Sequence, residues 1–184
     1  METCKTTDQS CIEKATRVLR EGGVILYPTD TLYGLGADAL SDEAVEKIYA
    51  IKGRDERKPI HAIVADIAMM EKYAEVSDMA QMLAKEFFPG PLTLILKKRE
   101  GAETGIGRGI NTMGIRIPNH SFCLALAKEF GQPITATSAN VSGRNTERNV
   151  KAIVEQLRDS ISYTGLLQKT SIGNIELVVD AGEL

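Results

Sequence analysis

No tryptophan occurs among the 184 residues, and five tyrosines with four phenylalanines are the only aromatics. A core built from this chain must be mostly aliphatic, and flat rings for stacking single-stranded bases are scarce. Three cysteines, at positions 4, 11 and 123, are too few and too irregularly spaced for a disulfide framework or a four-ligand zinc site, so free thiols in a reducing compartment are expected. No apolar run approaches the ~18 residues that span a bilayer. The longest, such as Phe122 to Ala127, suit one strand or a short helix. Met1-Glu2-Thr3-Cys4-Lys5 offers no apolar signal region. Also missing are the phosphate loop GxxxxGK followed by Ser or Thr, the dinucleotide fingerprint GxGxxG and a nucleophile elbow, so any nucleotide site here is not one of those common ones. The two histidines, His61 and His120, are far apart without a metal spacing, which favours structural or surface roles.

What is present is ordinary globular material: 43% apolar and 26% charged, with a net charge of −3. A chain of this size buries roughly 70% of its unfolded surface, enough for a core without staples. The expectation is a single soluble, cytoplasmic domain over residues 1–184. Helical patterns alternate with short apolar runs. Ser10-Cys11-Ile12-Glu13 reads as a capping box opening a helix that Gly22-Gly23 stops. Ser41, Asp66, Ser77 and Thr146 are further N-cap candidates, and Ser121 to Phe130 reads as a helix ended by Gly131. Val24 to Tyr27, Ile60 to Val64, Leu92 to Leu96, Met113 to Ile117, Ile134 to Thr137 and Ile175 to Val179 read as strands. That alternation predicts an α/β fold with a mixed sheet. The stretches 98–110 and 158–174 show no clear element and are the candidate functional loops.

Charge is unevenly placed. Stretches 52–58, 97–108, 144–151 and Arg116 together hold twelve basic and five acidic residues, a net +7 against −10 elsewhere. Gathered on one rim of the sheet they would form a cationic pocket for a small polyanion such as a nucleotide; dispersed, they are solvated loop charges.

Four segments carry groups fit for chemistry. Thr29-Asp30-Thr31-Leu32-Tyr33-Gly34 follows a strand and either reads a small polar ligand or caps its own turn. Lys52-Gly53-Arg54 ends a helix; its two cations either converge on a phosphate or carboxylate or belong to the charge run Asp55-Glu56-Arg57-Lys58. Thr135-Ala136-Thr137-Ser138-Ala139-Asn140 presents small donors and acceptors at a strand end, or is a polar turn before an ordinary cap. Arg116 interrupts an apolar strand, so a ligand carboxylate or a structural acid must meet it.

Taken together, Tyr27-Pro-Thr-Asp-Thr-Leu-Tyr-Gly-Leu-Gly36, Lys52-Gly-Arg54, Pro89-Gly-Pro-Leu-Thr93, Gly114-Ile-Arg-Ile-Pro118 and Ser138-Ala-Asn-Val-Ser-Gly143 resemble, in that order, the YrdC-like family of threonylcarbamoyl-AMP synthases. The resemblance runs from about Gly22 to Leu157 and matches the single-domain form in length. It implies a twisted open mixed sheet with helices packed around it and a large concave cavity. It also implies a nucleotidyltransferase reaction: L-threonine, bicarbonate and ATP, with Mg2+ on the phosphates, give threonylcarbamoyl-AMP and pyrophosphate for the t6A modification of tRNA. Partners so implied are tRNA and a downstream threonylcarbamoyl-transferase complex. By position, Lys52 and Arg54 would act in catalysis. Arg54, Lys58, Thr112, Ser138, Asn140 and Thr146 would face ATP, and Thr31, Arg116 and Ala136 would hold threonine, with no metal ligand from the protein. The sequence departs from the family at Glu176, where a ligand hydroxyl is usual, at Ile63, where some members carry histidine, and at Thr137, where proline is usual. An RNA-binding module using the cationic cavity, or a nucleotide-binding paralogue without the reaction, are the competing readings.

Overall fold

The computed structural model describes residues 1–163 and 175–184, without the side chains of 159–163. Of the candidate loop 158–174, residues 158–163 are instead the end of the last helix, whose apolar spacing runs on past Leu157, and residues 164–174 lie outside the described residues. In chain order the elements are β1 (Glu2–Lys5), α1 (Cys11–Arg20), β2 (Val24–Pro28), β3 (Tyr33–Gly36), α2 (Asp42–Lys52), β4 (His61–Ile63), α3 (Ile67–Tyr73), β5 (Ala74–Glu75), α4 (Asp78–Phe87), β6 (Leu94–Lys98), β7 (Thr112–Arg116), α5 (Ser121–Phe130), β8 (Ile134–Ser138), α6 (Val150–Tyr163) and β9 (Ile175–Asp180), with a 3-10 turn at Gly105–Gly107 before β7. The strands form one mixed sheet in the order β1-β9-β2-β3-β8-β4-β7-β6-β5. The expected α/β class and open mixed sheet are therefore found.

Alternation along each strand divides the core into two layers. From β2, Val24 and Leu26 face one side with Leu35, Ala62, Leu96, Met113 and Ile115, packed under Ile48 of α2, Met70 of α3, Ala84 of α4 and Ile153 of α6. Ile25 and Tyr27 face the other, joined by Ile63 and Ile134 beneath Ala15 and Leu19 of α1 and Phe122 and Leu126 of α5. Two helices cannot cover that second face. Ile95 of β6 lies on it and is 61% exposed. The uncovered part, over β8, β4, β7 and β6, is the concavity.

Several expectations are corrected. Ser10 makes no side-chain cap: its backbone is helical (φ −83°, ψ −4°), so the hydroxyl is not aimed at the first-turn amides. The last helix starts at Val150 rather than behind Thr146, and Asn149 Oδ1 accepts from the Ala152 amide in the capping role. Ser41, Asp66 and Ser77 cap as expected, each accepting an amide three residues on. Cys4 and Cys11 are not free. They form a disulfide with Cα atoms 5.8 Å apart, because a turn in which Asp8 and Cys11 amides bond the Lys5 and Asp8 carbonyls folds the chain back between them. Cys123 is free and buried, and burial pushes its thiol far above the usual range.

Candidate active site

The Thr29–Leu32 segment is the loop of the β2–β3 hairpin, and both readings of it hold for different residues. Thr29 Oγ1 accepts from the Thr31 and Leu32 amides and donates to Leu32 O, so it caps the turn. Asp30 and Thr31 instead reach across to β7. There Arg116 is gripped on three sides: Nη2 meets Asp30 Oδ1 at 2.5 Å, Nη1 meets Thr31 Oγ1 at 3.3 Å, and Nε donates to Gly90 O at 3.0 Å. The second Asp30 oxygen accepts from the Asn119 amide at 3.0 Å. Arg116 has thus found a structural acid. Pro89-Gly90-Pro91, part of the Pro89–Thr93 motif, acts here as a brace, since the Gly90 amide bonds Ile117 O. A methyl on Gly90 would fall 2.5 Å from Phe87 O, which explains the glycine.

Beside this corner lies a cavity of about 100 Å³ lined by Thr31, Arg116, Ala136, Thr137, Ser138 and the hairpin residues Tyr27 to Gly34. Four of the expected site residues meet here: Thr31, Arg116, Ala136 and Ser138. The walls are small because Gly34 and Ser138 are directly opposed across β3 and β8.

Lys52 and the Ser138–Asn140 turn form one unit. Lys52 is 1% exposed, and its Nζ donates to Ser138 O, to Asn140 O at 2.9 Å and to Asn140 Oδ1 at 3.1 Å. All three ammonium hydrogens are therefore used by the protein, which ties Lys52 to the turn above it. Burial, helped by the Arg54 charge, lowers its pKa to about 8. Asn140 Nδ2 ties the far side by donating to Arg144 O at 2.6 Å, and Ser138 Oγ donates to Asn140 Oδ1 at 2.6 Å. Gln156 of α6 completes the fixation, accepting from the Val141 amide and donating to Asn145 O, a role no local motif announced.

The remaining expected residues lie outside this cavity. Arg54 sits on the next loop with Nη2 on Pro59 O at 3.1 Å, while the Lys58 side chain is exposed. Thr112 is exposed at the start of β7, opposite Lys97, and Thr146 is exposed beyond the turn. The single cationic rim is corrected as well. Of the 97–108 group, Lys97 pairs with Glu75, Arg108 with Asp42 and Glu46, and Lys98 and Arg99 bond the carbonyls of Gly107 and Ala74. Glu176 also serves its own neighbourhood, accepting the Val24 amide at 2.7 Å, at the end of β2 opposite the hairpin loop. Among the described residues, no three His, Cys, Asp or Glu are gathered to hold a metal, and no helix is long and apolar enough to cross a membrane.

Fold and site together define an α/β protein with a half-open sheet, whose small niche, walled by the Asp30-paired Arg116 guanidinium, adjoins a rigid polar turn. The Sua5/YciO/YrdC family, which carries the description "Telomere recombination", matches residues 17–182, and the chain belongs to it. It is 37% identical over 173 residues to the threonylcarbamoyl-AMP synthase of Pyrococcus abyssi, covering 94% of this chain and 47% of that protein. The enzyme of the same name from Bacillus subtilis is 39% identical over 159 residues, 85% of this chain and 46% of the relative. The crystal structure of P. abyssi Sua5 complexed with L-threonine superposes with a TM-score of 0.83 at 35% identity, covering 99% of this chain and 50% of that one. The chain thus spans about half the length of these curated relatives.

Proposed function

We propose that the protein is a nucleotidyltransferase that joins L-threonine, bicarbonate and ATP into threonylcarbamoyl-AMP, releasing pyrophosphate. The observation that carries this is the cavity beside Arg116: about 100 Å³, bounded by a guanidinium, by the small side chains of Thr31, Ala136, Thr137 and Ser138, and by Tyr27, Leu32 and Tyr33 of the hairpin, it suits a small amino acid. Threonine is bound in the P. abyssi structure that superposes on this chain. In this reading the Arg116 guanidinium receives the threonine carboxylate, with Thr31 and the Ala136 backbone beside it. The nucleotide lies over the Ser138–Asn140 turn, with Arg54 and Lys58 approaching its phosphates and Thr112 and Thr146 at the periphery. Mg2+ arrives as part of MgATP, coordinated by phosphate oxygens.

The chemistry asks mainly for positioning. Threonine's amine captures CO2 or bicarbonate, and a carbamate oxygen then attacks the α-phosphorus as pyrophosphate leaves. The Lys52 charge beneath the turn and the Arg54 guanidinium stabilise negative charge that builds on the phosphates. The product would supply threonylcarbamoyl transfer to tRNA, by a partner complex, in the cytoplasm. Incubation with ATP, bicarbonate and threonine should release pyrophosphate only when all three are present. Threonine-independent release, or none, overturns the reading; affinity for RNA falling steeply with salt in its place would favour an RNA-binding module.

A further inference from the structure

The reaction proposed above needs a proton acceptor. Threonine enters as an α-ammonium, and its nitrogen has no lone pair for carbon until one proton leaves. Arg116 cannot take it, and Asp30 is committed to Arg116 and the Asn119 amide. Lys52 is lodged among three oxygen acceptors, a setting that uses every hydrogen of the ammonium and offers no partner to a lone pair.

Of the two histidines, His120 stands at the start of α5 behind the Asp30 corner with its Nδ1 buried, whereas His61 stands exposed on the open face of the sheet. It starts β4 directly opposite Ala136 of β8, and the pairing of Ala62 with Ile115 sets it beside Gly114 of β7. A methyl on Gly114 would lie 2.5 Å from His61 Cδ2, so the imidazole covers that glycine and needs it bare. Arg116 stands two residues beyond Gly114 on the same face, and Ala136 lines the cavity. His61 therefore stands on β4 on the same face as Arg116 and next to Ala136 of the cavity wall, one strand outside the cavity's own lining and exposed enough to hand a proton to water.

We propose that His61 is the general base of this site and removes one proton from the threonine α-ammonium. The inference rests on the synthase reading. The balance is simple: imidazole becomes imidazolium, and the freed amine attacks the carbon of bicarbonate. The second nitrogen proton leaves with the expelled hydroxyl as water, so a carbamate anion forms, and imidazolium returns its proton to solvent. Around the ring, Ala136, Gly114 and Ile95 carry no charge, Lys97 lies two register pairs farther along β6, and Arg54 is the cation whose field reaches it. Burial and Arg54 together hold the imidazole below its ordinary pKa, so it stands neutral near pH 7. Phosphates docking on Arg54 would offset that field and strengthen the base once nucleotide is bound.

The test is His61→Gln in the full chain, which keeps a polar side chain of similar reach without a basic nitrogen. Expected are a fall of about 100-fold in kcat for pyrophosphate release with KM for threonine within about threefold, loss of the acid limb of the kcat profile, and partial rescue by free imidazole. A kcat within about threefold of wild type, or an acid limb that persists in the variant, overturns the inference. Should the variant not fold, the wild type decides. With ATP and threonine but no bicarbonate, NMR gives the His61 pKa, and an acid limb that tracks His120 or neither histidine is equally fatal. A wild type without threonine-dependent turnover sinks the synthase reading instead, which keeps the two failures apart.

Discussion

Two cations stand near the cavity, Arg116 partly buried in its wall and Lys52 fully buried under the Ser138–Asn140 turn, and they are satisfied in opposite ways. At the Arg116 corner the guanidinium faces a carboxylate, both side chains being about one-seventh exposed at 14% and 13%. Under the Ser138–Asn140 turn the Lys52 ammonium faces three neutral oxygens. In the first region charge is cancelled, so geometry is all that remains: a wall with a fixed fork. In the second a positive charge stays uncompensated beneath a polar turn, where the low dielectric lets it be felt at a distance. One corner is built to orient, the other to attract.

That contrast can be broken at its stronger end first. Lys52→Met fills similar volume but strands three acceptors, and should cost roughly 3 kcal/mol or more in urea unfolding and abolish pyrophosphate release. A loss under about 1 kcal/mol would mean the turn holds itself. Asp30→Asn should cost less, about 2 kcal/mol, because Arg116 keeps Gly90 O and Thr31 while losing its counter-charge. Threonine binding should weaken as the fork loses its fixed orientation, and unchanged stability in the variant would show that the pair contributes only position. The smallest effect is a slope. Unfolded, Lys52 holds its proton to about 10.5, but folded it releases it near 8. Between those values the unfolded chain binds more protons, so stability should rise with pH across that window. Urea midpoints from pH 8 to 10 should show that rise in wild type and lose it in Lys52→Met; equal slopes in both would assign it to other groups.

The sequence announced helices well where a side chain could reach its own first turn, as at Ser41, Asp66 and Ser77. It misled at Ser10 and Thr146, because a capping pattern does not specify the backbone angles that make it work. Strand β3 went unread since Tyr33-Gly34-Leu35-Gly36 is glycine-rich, and its pairing comes from the hairpin and from β8 rather than from propensity. The edge strand β1 is polar, short and exposed for most of its length, so it carries no periodic signal. Within the site, the motif residues were legible and their partners were not. Lys52 meets Ser138 across 86 positions, and Arg116 meets Asp30 across the same separation. Such distances are set by topology alone. His61 has no local motif around it, and its closest neighbour, Gly114, stands on another strand.

One topological feature bears on how the molecule comes into being. Strand β9 lies between β1 and β2 and runs parallel to both. Residues 2–5 therefore have no strand partner until residues 177–180 have been made. On a ribosome, β2 waits through most of synthesis with one edge unpaired, a template for wrong partners. Non-local parallel pairing of this kind sets folding on the slow side of the single-domain range. The flank of the sheet away from the half-open face is thus held together by a strand drawn from far along the chain.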